Sequence, residues 1–324
     1  MHAIRMTTTG GPEVLEWCEL DPPQAGPDDL LVRVHAAGLN FIDTYHRSGL
    51  YPVPLPYVPG VEGAGEVVAV GPGAAAAGFG TGQRVAWTAV PGSYAETVRV
   101  PARNAVPVPD AVSSELAAAV MLQGMTAHFL VTDTFPLGPG HRCLVHAAAG
   151  GVGRILVQLA KQRGAEVVAT AGSPAKADAV RALGADHVID YRARDFAADV
   201  EALLGPKAID VVYDGVGRAV FEASLGLLRR RGMMATFGNA SGAVDPIAPL
   251  RLMQLGSLFL TRPTLADYIA DRADLLRRSG ELFDLLGSGR LDVEIGLRLP
   301  LAEAAEAHRR LESRSTTGKV LLLP

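Results

Sequence analysis

The most restrictive feature of the chain is a glycine turn held between a strand-like run and a helix-like run. Cys143-Leu144-Val145-His146-Ala147 reads as a strand. Ala148-Ala149-Gly150-Gly151-Val152-Gly153 is the turn, and Val152 to Arg163 reads as a helix closed by Gly164. A dinucleotide pyrophosphate needs backbone that can come close and N–H groups exposed at a helix N-terminus. Gly150 permits the approach, and Gly153 lets the helix pack on the sheet. The G-x-G-x-x-G pattern has Ala148 in place of its first glycine, so the context carries the assignment. That context is strong. Glu166–Thr170, His187–Ile189, Asp210–Tyr213, Met233–Phe237 and Ser257–Leu260 are further strand-like runs. Ser173-Pro174 opens another helix, with serine as cap and proline at the first helical position. Alternation of this kind predicts a doubly wound parallel sheet.

The first 110 residues have a different texture. Leu30–His35, Gly65–Gly71, Arg84–Trp87 and Ala95–Val100 are short β-type runs between Gly and Pro signals. They predict a barrel- or sandwich-like domain. Ala74–Ala77 reads as a loop, and Ser113 as the cap of an Ala-rich helix. The tail after about 265 returns to helices over Asp267–Leu286 and Leu301–Leu311, then a last strand, Lys319–Leu322. The length of 324 residues fits roughly two domains.

Composition excludes several functions. A net charge of −4 gives no footprint for nucleic acid or an anionic membrane. Arg229-Arg230-Arg231 is the one basic run and reads as a solvated helix end. No apolar run approaches the ~18 residues of a membrane helix, and the N-terminus has no apolar signal core. Cys18 and Cys143 are far apart, which excludes a disulfide framework and fits a reducing cytoplasm. Only four lysines occur (Lys161, Lys176, Lys207, Lys319) against 26 arginines, so each lysine is more informative than usual.

The second strand of the sheet ends Thr170-Ala171-Gly172-Ser173. An NAD site usually carries an acid there to hold the ribose 2′-hydroxyl. A neutral turn followed by Lys176 predicts NADPH instead. Tyr191, after the third strand, is placed to pack beside the adenosine.

Further segments carry a resemblance: Asn40-Phe41-Ile42-Asp43-Thr44-Tyr45, Arg47–Pro52, His146–Gly153, Val211–Gly217, Phe237–Gly242 and Gly256–Pro263. Over essentially its whole length the chain resembles the medium-chain dehydrogenase/reductase superfamily. Within it, the chain is similar to the zinc-independent quinone oxidoreductases related to zeta-crystallin. The zinc alcohol dehydrogenases carry a cysteine ligand near Asn40–Asp43 and Gly-His-Glu where this chain has Gly60-Val61-Glu62. A catalytic zinc needs three protein ligands, and none can be assembled, so no metal is expected.

The resemblance implies a GroES-like β-barrel domain over 1–124 and 265–324 and a Rossmann domain over 125–264, with the active site in the cleft between them. It implies hydride transfer from NADPH to a quinone. An NADPH-dependent enone, alkenal or enoyl-thioester reductase is the alternative, and a non-enzymatic nucleotide- or RNA-binding crystallin-like protein a more distant one. Asn40 and Tyr45 are the expected hydrogen-bond donors, with Tyr51 on the wall. Asp43 and Glu62 are expected to be structural. To the cofactor it assigns Asn40, Tyr45, Thr126, Ala149, Gly150, Gly151, Val152, Tyr191, Val216, Phe237, Gly238, Asn239, Ser241, Phe259 and Arg314, to which the neutral turn after the second strand adds Gly172, Ser173 and Lys176. It also implies a homodimer through residues 256–261.

Overall fold

The alternating segment forms the sheet its pattern requires. The computed structural model describes residues 1–324. Its strands are β1 (His2–Arg5), β2 (Glu16–Glu19), β3 (Asp29–Leu39), β4 (Glu62–Val70), β5 (Arg84–Thr88), β6 (Thr97–Pro101), β7 (Ala105–Pro107), β8 (Arg142–Val145), β9 (Glu166–Ala171), β10 (His187–Asp190), β11 (Ile209–Asp214), β12 (Leu228–Thr236), β13 (Phe259–Thr261), β14 (Ile295–Pro300) and β15 (Lys319–Leu323). The chain divides into two compact units, Met1–Met125 with Tyr268–Pro324, and Thr126–Asp267.

The second unit is a six-stranded, all-parallel sheet in the order β10-β9-β8-β11-β12-β13. The direction of winding reverses between β8 and β11, the switch point at which doubly wound sheets bind ligands. Strand β11 is buried along its whole length and β8 over Cys143–Val145, as strands covered on both faces demand. Leu144, Val168, Val212 and Met234 pack with Phe196, Phe221 and Leu225 from the helices on one face. Two expectations need correction. Arg229–Arg231 lies in β12, not at a helix end, because Leu228 pairs with Ile209 and Arg229 is held by Asp210. The last strand begins at Phe259, since Ser257 takes a left-handed φ of +56° that breaks the extended backbone.

In the first unit the eleven-residue β3 is the hub. It pairs antiparallel with β4, β6 and β15, in a sheet ordered β14-β15-β3-β4-β5-β7. Its apolar side chains Leu30, Val32 and Val34 meet Val67, Val85, Trp87, Val98 and Val100 in one core. Ser113 caps the helix Ser114–Val120, its Oγ accepting the Leu116 N–H at 3.2 Å. Three details differ from the sequence reading. Phe41–Ser48 is a helix where only strands and turns were expected, closed by Gly49 at φ +81°. Pro72–Ala76 is a short helix rather than a loop, with Ala74 fully buried. The helix expected over Asp267–Leu286 is two, Leu265–Tyr268 and Arg272–Gly287, because Asp271 takes an extended conformation between them. No single helix is long and apolar enough to cross a membrane.

Candidate active site

At the switch point the chain leaves β8 through His146 and turns sharply. Ala147 sits at φ +50°. Its carbonyl accepts the Gly150 N–H at 2.9 Å, and the Ala148 N–H goes to Thr170 O at 3.0 Å. Gly153 must be glycine, since a Cβ there would lie 2.6 Å from Ala147 O. The helix Gly151–Gln162 follows. The N–H groups of Gly151 and Val152, in its first turn, have no acceptor within the helix. The N–H of Gly150 is therefore used in the turn, while those of Gly151 and Val152 remain available.

Strand β11 ends on Asp214, fully buried. Its Oδ1 accepts the N–H groups of Val216 (2.7 Å) and Gly217 (2.9 Å), and its Oδ2 the Thr236 hydroxyl (3.2 Å). Burial pushes its carboxyl above the usual range despite these donors. The loop so fixed lies against the one after β12. A Cβ on Gly238 would meet Gly215 O at 2.3 Å, and Ser241 Oγ donates to Val216 O at 2.8 Å. The Asn239 amide lies between Gly238 O and the Arg262 guanidinium. Val216, Phe237, Gly238, Asn239 and Ser241 thus form one rim at the carboxyl ends of β11 and β12.

The loop after β9 is neutral, as read from the sequence. Ser173 caps the next helix, its Oγ accepting the Lys176 N–H at 3.3 Å. The Tyr191 hydroxyl closes over Gly172, where a Cβ would be 2.6 Å away. Burial lowers the Lys176 ammonium below its ordinary range, and the charge of Arg192 lowers it further. Arg192, which follows β10, brings a second cation near Lys176 that the sequence reading missed; its place directly after Tyr191 was the available signal.

In the first unit, sheet register assembles a buried polar cluster. Val320 faces Leu39, so Lys319 comes beside Asn40. Ala37 faces Gly63, so Glu62 comes beside Gly38. Glu62 and Lys319 are 0% and 1% exposed at the side chain and form an ion pair. Lys319 Nζ also donates to Asn40 Oδ1 at 3.0 Å, as does Gln123 Nε2 at 3.0 Å. Asn40 Nδ2 donates to Glu62 Oε2 (2.8 Å) and Gly38 O (3.3 Å), and the Leu122 N–H reaches Glu62 Oε1 at 2.5 Å. Gly38 is forced, because a Cβ would fall 2.3 Å from Glu62 Oε2. Lys319 was visible as a rare lysine at the head of an apolar strand, but its partners were not.

Asn40 is also the N-terminal cap of the helix Phe41–Ser48, its N–H donating to Asp43 Oδ2 at 2.8 Å. Desolvation raises the Asp43 carboxyl to about 7. The Tyr94 hydroxyl donates to it at 3.4 Å, and Tyr94 is linked through His308 and Arg47 to Glu312. Asp43 and Glu62 are thus both held by hydrogen bonds within the unit.

The same helix carries Tyr45, whose ring meets Tyr51 edge-on at 5.2 Å. The two tyrosines come together, whereas Asn40 is 3% exposed with both amide hydrogens engaged inside the unit. Asn40 Oδ1 likewise accepts from Gln123 and Lys319, so the side chain is engaged on both ends within the unit. Phe259 is also separated from the phosphate turn. It is 53% exposed on the sheet edge, three strands or about 14 Å from β8. Thr126 is 8% exposed on the helix Gln123–Phe129, and Arg314 stands on an exposed turn at φ +58°.

A polar depression of about 480 Å³ opens at the opposite end of the sheet, among Gly140, Arg142, Glu166, Asp210 and Arg229. Arg142 pairs there with Glu166 and Arg229 with Asp210, and the depression lies at the amino ends of the strands, away from the switch point. No three His, Cys, Asp or Glu side chains are grouped closely enough to hold a metal ion.

Two family models match the chain: the alcohol dehydrogenase GroES-like domain over residues 26–110 and the zinc-binding dehydrogenase over 151–276. A quinone oxidoreductase of Pseudomonas aeruginosa is 46% identical, with 99% of each chain covered. The chain belongs to the quinone oxidoreductase family of the medium-chain dehydrogenases/reductases. Within this family the Escherichia coli quinone oxidoreductase, solved in complex with NADPH, superposes with a TM-score of 0.97 at 43% identity over the whole of both chains. A 2-haloacrylate reductase of a Burkholderia species is 41% identical over 97% of this chain and 96% of its own. Where the zinc alcohol dehydrogenases carry Gly-His-Glu, this chain has Val61, which cannot ligate a metal, and Glu62, which pairs with Lys319.

Proposed function

We propose that the protein is an NADPH-dependent, zinc-independent quinone oxidoreductase. The observation that carries this reading is the near-identity of fold with a quinone oxidoreductase that binds NADPH, at 43% sequence identity over the full length. The chain's own residues fit the cofactor. Gly153 and Gly238 let the turn and the rim pack on their own neighbouring backbone, where a Cβ would collide with Ala147 O and Gly215 O, and the first N–H groups of the helix Gly151–Gln162 have no acceptor within the helix, as an anion site requires. When bound, the reduced nicotinamide supplies the hydride.

The protein's task is then to bind, orient and protect. Gly151 and Val152 hold the pyrophosphate. Ser173, Lys176 and Arg192 hold the 2′-phosphate, and Tyr191 packs beside the adenosine. Val216, Phe237, Gly238, Asn239 and Ser241 form the rim for the nicotinamide half. Tyr45 donates a hydrogen bond to the acceptor's oxygen, with Tyr51 as its aromatic neighbour, and solvent completes the protonation. Asn40 orients the helix that carries Tyr45.

The likeness to a 2-haloacrylate reductase favours a second reading, reduction of an alkene conjugated to a carbonyl or carboxyl group. The test is a steady-state panel with NADPH and NADH on a simple benzoquinone, an alkenal and a 2-haloacrylate. The quinone is expected to have the highest kcat/KM with NADPH; faster turnover of either alkene would replace the first reading with the second. The reading also includes a homodimer built on β13, whose exposed Phe259 is accompanied by exposed Leu250 and Met253, and a place in the cytoplasm, where both cysteines stay free.

A further inference from the structure

The phosphate turn is tied to the rest of its unit by one buried histidine. His146 is 3% exposed. Its Nδ1 lies 3.1 Å from Thr170 Oγ1 and its Nε2 2.8 Å from Ser224 Oγ. Thr170 and Ser224 are themselves 1% and 0% exposed. The proton positions in this cluster follow from counting. A serine hydroxyl has one proton, and Ser224 gives it to Val220 O at 2.7 Å. Ser224 Oγ can then only accept from the ring, so the imidazole hydrogen is on Nε2. Nδ1 is left as an acceptor and takes the Thr170 hydroxyl proton. Thr170 Oγ1 in turn accepts the Ala147 N–H at 3.3 Å.

The result is a chain with one direction: Ala147 N–H to Thr170 Oγ1, Thr170 O–H to His146 Nδ1, His146 Nε2–H to Ser224 Oγ, Ser224 O–H to Val220 O. The Phe196 ring packs edge-on against the imidazole at 5.0 Å and keeps water away from it. Burial holds the ring neutral, with its basicity pushed down to about 3.

The chain ends at the residue on which the turn depends. Ala147 occupies the left-handed region at φ +50°, where an L-residue other than glycine needs external support. Its carbonyl accepts the Gly150 N–H and, with Ala148 Cα, lies 2.6 Å from where a Gly153 Cβ would be. A shift of Ala147 moves the oxygen around which Gly150 and Gly153 are packed.

We infer that His146, in its Nε2–H form, is a positioning residue for the phosphate-binding turn, and that Ser224 acts on NADPH affinity through it from the helix Phe221–Leu227. Neither residue touches the cofactor. The inference rests on the cofactor reading above and adds a relay that no glycine motif contains.

The experiment measures NADPH dissociation constants by cofactor fluorescence, together with kcat at saturating NADPH and the circular dichroism of each variant. Thr170→Val keeps the shape and removes the hydroxyl, leaving the Ala147 N–H and His146 Nδ1 without partners. It is expected to weaken NADPH at least about tenfold, with kcat nearly unchanged. Ser224→Ala is expected to weaken it by about threefold or more, and Thr170→Ser to rescue binding to within about twofold of wild type. Heteronuclear NMR of nitrogen-labelled wild type should find the His146 hydrogen on Nε2, with no titration between about pH 5 and 9.

A ring hydrogen on Nδ1, or a folded Thr170→Val that binds NADPH like wild type, overturns the inference. Parallel losses of kcat and affinity in Ser224→Ala and in Thr170→Ser also overturn it, because they mark a general packing defect. If Thr170→Val does not fold, the tautomer and the Ser224→Ala and Thr170→Ser constants still decide. Wild type that bound no NADPH at all, with the tautomer as stated, would instead sink the cofactor reading.

Discussion

Replacing Lys319 by methionine isolates the ion pair in the centre of the first unit. Methionine has nearly the same length and reach, so the change removes a charge rather than volume. Glu62 would keep two neutral donors, Asn40 Nδ2 at 2.8 Å and the Leu122 N–H at 2.5 Å, and lose its one cationic partner. The carboxylate is fully buried and has no route to water. Removing one member of a buried pair leaves an uncompensated charge and costs about 3–5 kcal/mol. For a unit of this size that corresponds to a fall in Tm of roughly 6–20 °C. Asn40 Oδ1 also loses a donor and retains only Gln123, which favours the upper half of that range.

The assay is built into the chain. Its two tryptophans, Trp17 and Trp87, both belong to the first unit, and Trp87 is fully buried there. Intrinsic tryptophan fluorescence during denaturation therefore reads the unit that holds the pair. The double variant Lys319→Met with Glu62→Gln removes both charges and is expected to recover at least half of the loss, because a buried pair replaced as a whole is often nearly neutral. A single variant within about 1 kcal/mol of wild type would refute the reasoning. So would a double variant no better than the single, since the damage would then be packing and not charge.

Four further outcomes are expected. Because burial raises the Asp43 carboxyl from 3.8 to about 7, the native state holds a proton that the unfolded chain has released. The stability this proton gives is present below about pH 4 and lost as pH rises through about 7, so Asp43→Asn should gain on wild type over that window by up to about 4 kcal/mol; a constant difference in denaturation curves at several pH values would exclude it. Lys176→Ala should lower kcat/KM for NADPH by about tenfold and leave NADH nearly unchanged, the worth of one charge-assisted contact; equal losses would make Lys176 a surface charge only. Wild type should scatter light as the proposed homodimer and Phe259→Glu as a monomer, and an unchanged mass would remove β13 from the proposed interface. Activity should survive exhaustive chelation, with no stoichiometric zinc in elemental analysis of the active protein.

What was legible in the sequence, and what was not, follows from the range of the interactions concerned. The parallel sheet was legible because each strand and helix there is local, and because Gly150, Gly153 and Ser173-Pro174 mark turns within a few residues of themselves. The helix Phe41–Ser48 was missed although Asn40, Asp43 and Gly49 are ordinary cap and stop signals. Its neighbours are strands, and Ile42, Thr44 and Tyr45 favour strands in isolation. The buried clusters were beyond reach for a different reason. Lys319 meets Asn40 and Glu62 only because β15 pairs with β3 and β3 with β4 in one register, and a shift of one residue would point the lysine elsewhere. His146 meets Ser224 across 78 positions. In both clusters a group that looks ordinary in the sequence gains its role from a partner chosen by topology. The glycine turn was legible because its residues are contiguous, whereas the surroundings of Asn40 were not, since its hydrogen-bond partners lie 22, 83 and 279 positions away. In the proposed function substrate contact is given to Tyr45 and Tyr51, and variants of Asn40 are expected to act through the orientation of the helix that carries Tyr45.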